Sequence, residues 1–232
     1  MIYEMRYYFV ARGRMDDNHA RQRDHLPALF DMHGIRVVGR WTALAGLRLP
    51  TFVYITEWRD FSEREAAWAS FYADPEWADI RARTNAGAEM ITGMDVLFLR
   101  PNSVSKPQHT DAPAGAVQQL LLQPTLIGRT SDVSAFLQTQ YLPLIAQGGG
   151  QLIGLWDVLS GATMPTLAIL VSWPDARSWH LAWGAIENDS GMNAAFSQQF
   201  ERFGGPLLGP SESILLEPAS YGQMTFLRHD SL

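Results

Sequence analysis

The sequence predicts an α+β protein: two tandem βαββαβ units whose antiparallel sheets pack face to face as an α/β barrel. Three observations lead there. The chain repeats itself, each copy alternates strand-like and helix-like segments in the same order, and a stretch poor in packable side chains, PNSVSKPQHTDAPAG (101–115), lies between the copies. These features divide the chain into a first unit (1–101), a linker (102–115), a second and diverged unit (116–220) and a C-terminal tail (221–232).

In the first copy, IYEMRYYFV alternates as a strand, with Glu4, Arg6 and Tyr8 on one face and Tyr3, Met5, Tyr7 and Phe9 on the other. MDDNHARQRDHLPALFDMHG reads as a helix with Asp16 near its start and Gly34 closing it, and His33 just before that glycine suits a helix C-terminus. IRVVGRWTAL and TFVYITEW are β-rich and joined by a turn containing Gly and Pro. Ser62, with Glu65 three residues on, is the candidate cap of the next helix, and Pro75 opens a further helical piece. GMDVLFLRP closes the unit as its last strand.

The second copy repeats this order through AVQQLLLQPTL, QLIGLWDVL, TLAILVSW and ESILLEP, with helices near 132–147 and 175–203. HLPALFDMHGIRVVGRW (25–41) aligns with YLPLIAQGGGQLIGLW (141–156), and EWRDFSEREAAW (57–68) with SWPDARSWHLAW (172–183). Asp16, Asp60 and Asp74 meet Asp132, Asp175 and Asp189. Helices on one sheet face leave the other face to be covered, and packing the two exposed faces together gives a barrel with an internal cavity.

Composition narrows the function classes. The 232 residues carry a net charge of -6 and a single lysine, Lys106, so clustered phosphate contacts are not provided for and a nucleic-acid partner is not expected. Without cysteine there is no thiol nucleophile or thiolate ligand, which suits a reducing cytoplasm. Neither a secretory leader nor an apolar run of the roughly 20 residues that a membrane helix needs is expected. No HExxH or similar spacing marks a metal site, no G-x-S-x-G elbow is present, and GGG at 148–150 lacks phosphate-loop spacing.

The pieces IYEMRYYF, HGIRVVGRW and EREAAWASFYADPEW resemble the NIPSNAP family, a branch of the dimeric α/β-barrel superfamily, over residues 2–100. The second copy lacks the Glu and Arg of the first strand and the ADPEW segment. The resemblance implies a ferredoxin-like tandem, a pocket between sheets and a homodimer, with Trp68, Phe71, Tyr72, Trp77, Trp179 and Trp183 available for a dimer face. It implies little chemistry, because the superfamily includes haem enzymes, cofactor-free monooxygenases and proteins without known catalysis.

The candidate site follows from an assignment of faces. Gly39 and Gly154 share a face with Trp41 and Trp156, and that face is assigned to the helices, as are Tyr3, Met5, Tyr7 and Phe9. Arg36, Val38, Arg40, Glu4, Arg6 and Tyr8 then point into the cavity, joined by Glu57 if its face is the same. Arg6 and Arg40, with Arg36, Tyr8 and Tyr54 beside them, would hold the polar end of a small apolar molecule bearing a carbonyl or acidic group, and Glu4 or Glu57 would move a proton without a cofactor. The alternative is that these charges neutralise one another as an ion-pair network in a non-catalytic binding or assembly module. His180, in WHLAW, is placed for a haem ligand by superfamily analogy alone, and half-buried packing is the competing reading. Whether the chain is an enzyme is left undecided by the sequence.

Overall fold

The computed structural model describes residues 1–46, 48–105, 114–161 and 163–222. The expected linker and tail lie partly outside them, at 106–113 and 223–232. The first half contributes β1 (Ile2–Val10), β2 (Arg36–Ala45), β3 (Thr51–Trp58) and β4 (Ile91–Pro101); the second contributes β5 (Val117–Pro124), β6 (Gln151–Ser160), β7 (Thr166–Trp173) and β8 (Glu212–Pro218). Their order around a closed barrel is β1-β3-β2-β8-β5-β7-β6-β4, antiparallel throughout. Each half has the order 4-1-3-2, and the seams β2–β8 and β4–β6 pair the free edges, so the sheets join by hydrogen bonds as well as facing each other.

Helices cover the outside. In the first half α1 (Met15–Ala20) runs through a π-helical turn (Arg21–His25) into α2 (Leu26–Met32), and α3 (Phe61–Ala73) and α4 (Pro75–Asn85) follow β3. The second half repeats this with α5 (Thr130–Phe136), a π-helical turn (Leu137–Tyr141), α6 (Leu142–Gln147), α7 (Ala176–Glu187) and α8 (Ser190–Phe203). Four of the repeated aspartates prove to be the N-caps: Asp60 and Asp175 accept from Glu63 and Ser178 backbone N–H, Asp74 and Asp189 from Glu76 and Met192. Asp60, not Ser62, therefore starts α3, and Glu63 returns the contact to the Arg59 N–H at 2.5 Å.

The barrel interior is a packed core drawn from both halves, including Tyr3, Met5, Tyr7, Trp41, Val53, Ile55, Trp156 and Leu170. This reverses the expected faces. Tyr3, Met5 and Tyr7 point inward, and Glu4, Arg6 and Tyr8 point to the helices. β1 is buried on both sides, so alternation fixed the two face sets without telling which was which. Trp41 and Trp156 are inward too. On β2 the register shifts between Val37 and Gly39, so Val38 faces the core while Arg40, two residues on, faces the helices and meets Gln22. The glycine at 154 serves its own strand: a Cβ there would lie 1.9 Å from the Trp156 ring. Instead of an enclosed chamber between the sheets there is a filled core, with a cavity of about 670 Å³ at one mouth, beside Tyr7, Phe9, Leu122 and Ile214.

Candidate functional site

β1 and β3 run in register, so Glu4 sits opposite Thr56, Arg6 opposite Tyr54 and Tyr8 opposite Phe52, all on the helix side. That side of the first half holds the polar groups the sequence singled out. Glu4 is fully buried, and its two oxygens accept from Arg6 Nε (2.9 Å), Arg64 Nε and Nη2 (3.1 and 2.8 Å), Trp58 Nε1 (3.2 Å) and Trp68 Nε1 (3.0 Å). Burial alone would raise its pKa, but the arginines and the indole donor outweigh it, and the carboxyl is held below its ordinary value.

Arg6 lies over the Trp68 ring at 3.9 Å and points Nη1 at three phenols, Tyr8 (3.3 Å), Tyr54 (3.5 Å) and Tyr72 (3.3 Å). Its charge is disfavoured by burial and more than restored by the phenolic oxygens and Glu4. Tyr8 and Tyr54 share a 2.7 Å hydrogen bond, and burial pushes both above the ordinary phenol range, Tyr54 well above it. Both are therefore neutral phenols at physiological pH.

A cleft of about 430 Å³ opens between this sheet face and the helices. Trp68, Phe71, Tyr72 and Trp77 of α3 and α4 wall it on one side, with Tyr72 stacked on Trp68 at 5.6 Å and Phe71 against Trp77 at 4.8 Å. Tyr8, Asn18, Arg21 and Gln22 bring polar atoms to it. Neither Asn18 nor Arg21 was singled out by sequence reasoning; the signal was available in the repeat, because Arg21 and Leu137 open the π-helical turns of the two halves.

The other expected residues are distributed differently. Glu57 faces the barrel interior beside Arg36, 3.4 Å away, and accepts from Tyr3 OH at 3.0 Å, so it does not join Glu4. Arg40 is buried with Gln22 at 3.4 Å and the Tyr221 ring over it, and burial lowers its pKa. Of the rings expected at a dimer face, Trp68 and Phe71 are buried within the half, Tyr72 is half exposed, and Trp77, Trp179 and Trp183 are partly buried. His180 is exposed on α7 and lines neither the cleft nor the mouth cavity. Among the described residues no cluster of metal-ligating side chains occurs, and no helix is long and apolar enough to cross a membrane.

Comparison with known proteins finds sequence matches to the first half and fold matches to the whole chain. Residues 3–106 match the NIPSNAP family model, as the first-half motifs implied. A NIPSNAP domain protein from Burkholderia xenovorans is 26% identical over 44% of this chain and 96% of its own, with a TM-score of 0.39. Over the whole chain the fold is that of a monooxygenase-like protein from Fusobacterium nucleatum (11% identity, 96% and 94% of the two chains, TM-score 0.56). A mutant chlorite dismutase from Candidatus Nitrospira defluvii shares it as well (7% identity, 94% and 92%, TM-score 0.53). No curated protein matches the chain significantly.

Proposed function

We propose that the chain binds a small, largely apolar molecule bearing a carbonyl or acidic group in the cleft between the first-half sheet and its helices. One observation carries this reading: aromatic rings enclose about 430 Å³ beside buried hydrogen-bond donors in the first half, where the second half has a packed apolar core and only a shallower hollow of about 220 Å³ between α5 and α8. Arg6 acts as a positioning residue, because its guanidinium fixes the hydroxyls of Tyr8 and Tyr72 that line the cleft. Glu4 has a complete shell of donors and serves to hold Arg6 and Arg64; removing a proton from a ligand would require breaking that shell. Any acid–base step on a bound carbonyl falls to Tyr8, a phenol kept neutral by burial and backed by Tyr54 at 2.7 Å, which suits it to donate to a carbonyl oxygen.

The test is saturable binding of an aromatic ketone, acetophenone, followed by saturation-transfer NMR on the wild-type chain and on Arg6→Leu. Binding that is lost in a variant retaining its circular dichroism spectrum supports the reading. Equal transfer in both proteins, or none in the wild type, contradicts it.

A further inference from the structure

The charges around the cleft do not balance. Arg14 pairs with Asp17, and Arg81 with Glu89 at 2.6 Å, while Glu89 also accepts from Asn85 at 2.9 Å. Arg21 is buried among these groups, and its partners are neutral: Nε donates to Thr84 Oγ1 at 2.8 Å and Nη2 to Asn85 Oδ1 at 2.5 Å. Nη1 has no hydrogen-bond partner among the described residues. Burial pulls the group down to about 10, so it still carries its charge at neutral pH. The Glu89 carboxylate acts on Arg21 through space but is already paired with Arg81, so this buried charge is hydrogen-bonded only to neutral acceptors; that is costly, and an anion supplied from outside removes the cost.

A second observation is independent of the charge. Asn18, 1% exposed, lines the same cleft, and its Nδ2 is buried without a hydrogen-bond partner. Unpaired buried donors are rare in folded proteins and call for an acceptor. Asn18 precedes Arg21 by one helical turn, which brings both onto one face. In the other half the residue at the start of the π-helical turn is Leu137, fully buried in an apolar core, so nothing in the backbone plan demands an arginine here.

Building on the cleft as a binding site, we propose that its ligand is an aromatic carboxylate. The ring lies among Trp68, Phe71 and Trp77, and the carboxylate accepts from Arg21 and Asn18 Nδ2. A planar carboxylate matches the guanidinium fork, and the Trp77 ring, 5.7 Å from the Arg21 guanidinium, borders the same space.

The experiment compares 2-naphthoate with the neutral, nearly isosteric 2-naphthamide by titration calorimetry on the full chain, with Trp68 and Trp77 indole NMR signals locating the binding. The expected result is a preference for naphthoate of at least about tenfold, the scale of one charge-assisted hydrogen bond. It should vanish in Arg21→Leu, which copies the second half, and in Arg21→Gln, which keeps a polar side chain should leucine disturb folding; Arg21→Lys should retain part of it. Naphthamide binding as tightly as naphthoate, with both indoles perturbed, would overturn the anion while leaving the cleft as a site. Neither ligand moving those signals would overturn both, and a preference that survives in Arg21→Leu and Arg21→Gln would overturn the assignment to Arg21.

Discussion

The two halves share a backbone plan and differ in what fills the space between sheet and helices. Ile2 pairs with Trp58 and Val117 with Trp173, so Glu4 and Gln119 hold the same position, as do Arg6 and Leu121, and Tyr54 and Ile169. Both Glu4 and Gln119 are fully buried. In the second half Leu121, Ile169, Leu137 and Phe136 interlock as one apolar cluster; in the first, charges, phenols and indoles line an open cleft. A fold that is satisfied by leucine in one copy does not need arginine in the other. The difference marks where stability was given up for a polar surface.

Making the first half resemble the second is the most severe way to break this contrast. Glu4→Gln should cost about 3–5 kcal/mol in urea unfolding, because two arginines lose their buried carboxylate. The interior that both halves share offers a control of middling size. Gly154→Ala should cost about 1–3 kcal/mol, since the new methyl collides with the Trp156 ring, and should leave cleft binding unchanged. Adding Arg6→Leu to Glu4→Gln sharpens the comparison further: the double variant should be less damaged than the sum of the singles by about 1 kcal/mol or more, as expected for groups in direct contact. Strict additivity would show that the ion pair is not a unit.

The smallest effect concerns pH. His19 is held by Thr42 at 2.7 Å and Tyr221 at 2.6 Å, and burial lowers its pKa. An unfolded histidine takes up its proton near pH 6.5, before the folded one does, so the neutral form's contribution is present above that pH and is lost as pH falls through the lower folded value. Unfolding measured from pH 7.5 downward should therefore show a stability difference between wild type and His19→Ala that shrinks below about pH 6.5. A constant difference would remove His19 as the cause. Glu4 acts in a separate and more acidic window, because its folded pKa lies below the ordinary glutamate value.

Much of the architecture was legible because its causes are local. Period-2 runs, Gly and Pro at element ends and the ordered repeat gave the βαββαβ units, and the repeated Asp60/Asp175 and Asp74/Asp189 pairs, read only as repeat matches, turned out to be the caps themselves. The direction of each face was not legible. In a closed barrel with helices outside, both sides of β1 are buried, and aromatic side chains suit either, so Tyr3 and Glu4 exchange roles without any change in pattern. The bulge at Val37–Gly39 then put Val38 and Arg40 on opposite faces. Arg6, Tyr8 and Tyr54 were expected together and do lie together, yet on the helix side of the sheet; Glu57 and Arg36 lie across it. Asn18 and Arg21 carry no motif, and only their comparison with the second copy sets them apart.

The central claim, that the first-half cleft is a ligand site and its counterpart is not, is tested most directly by a crystal structure of the chain grown with 2-naphthoate. The account predicts density for the ligand between Trp68, Trp77 and Arg21 and none in the matching layer of the second half. A cleft closed by its own tryptophans, or a ligand seated only at the barrel mouth, would contradict it.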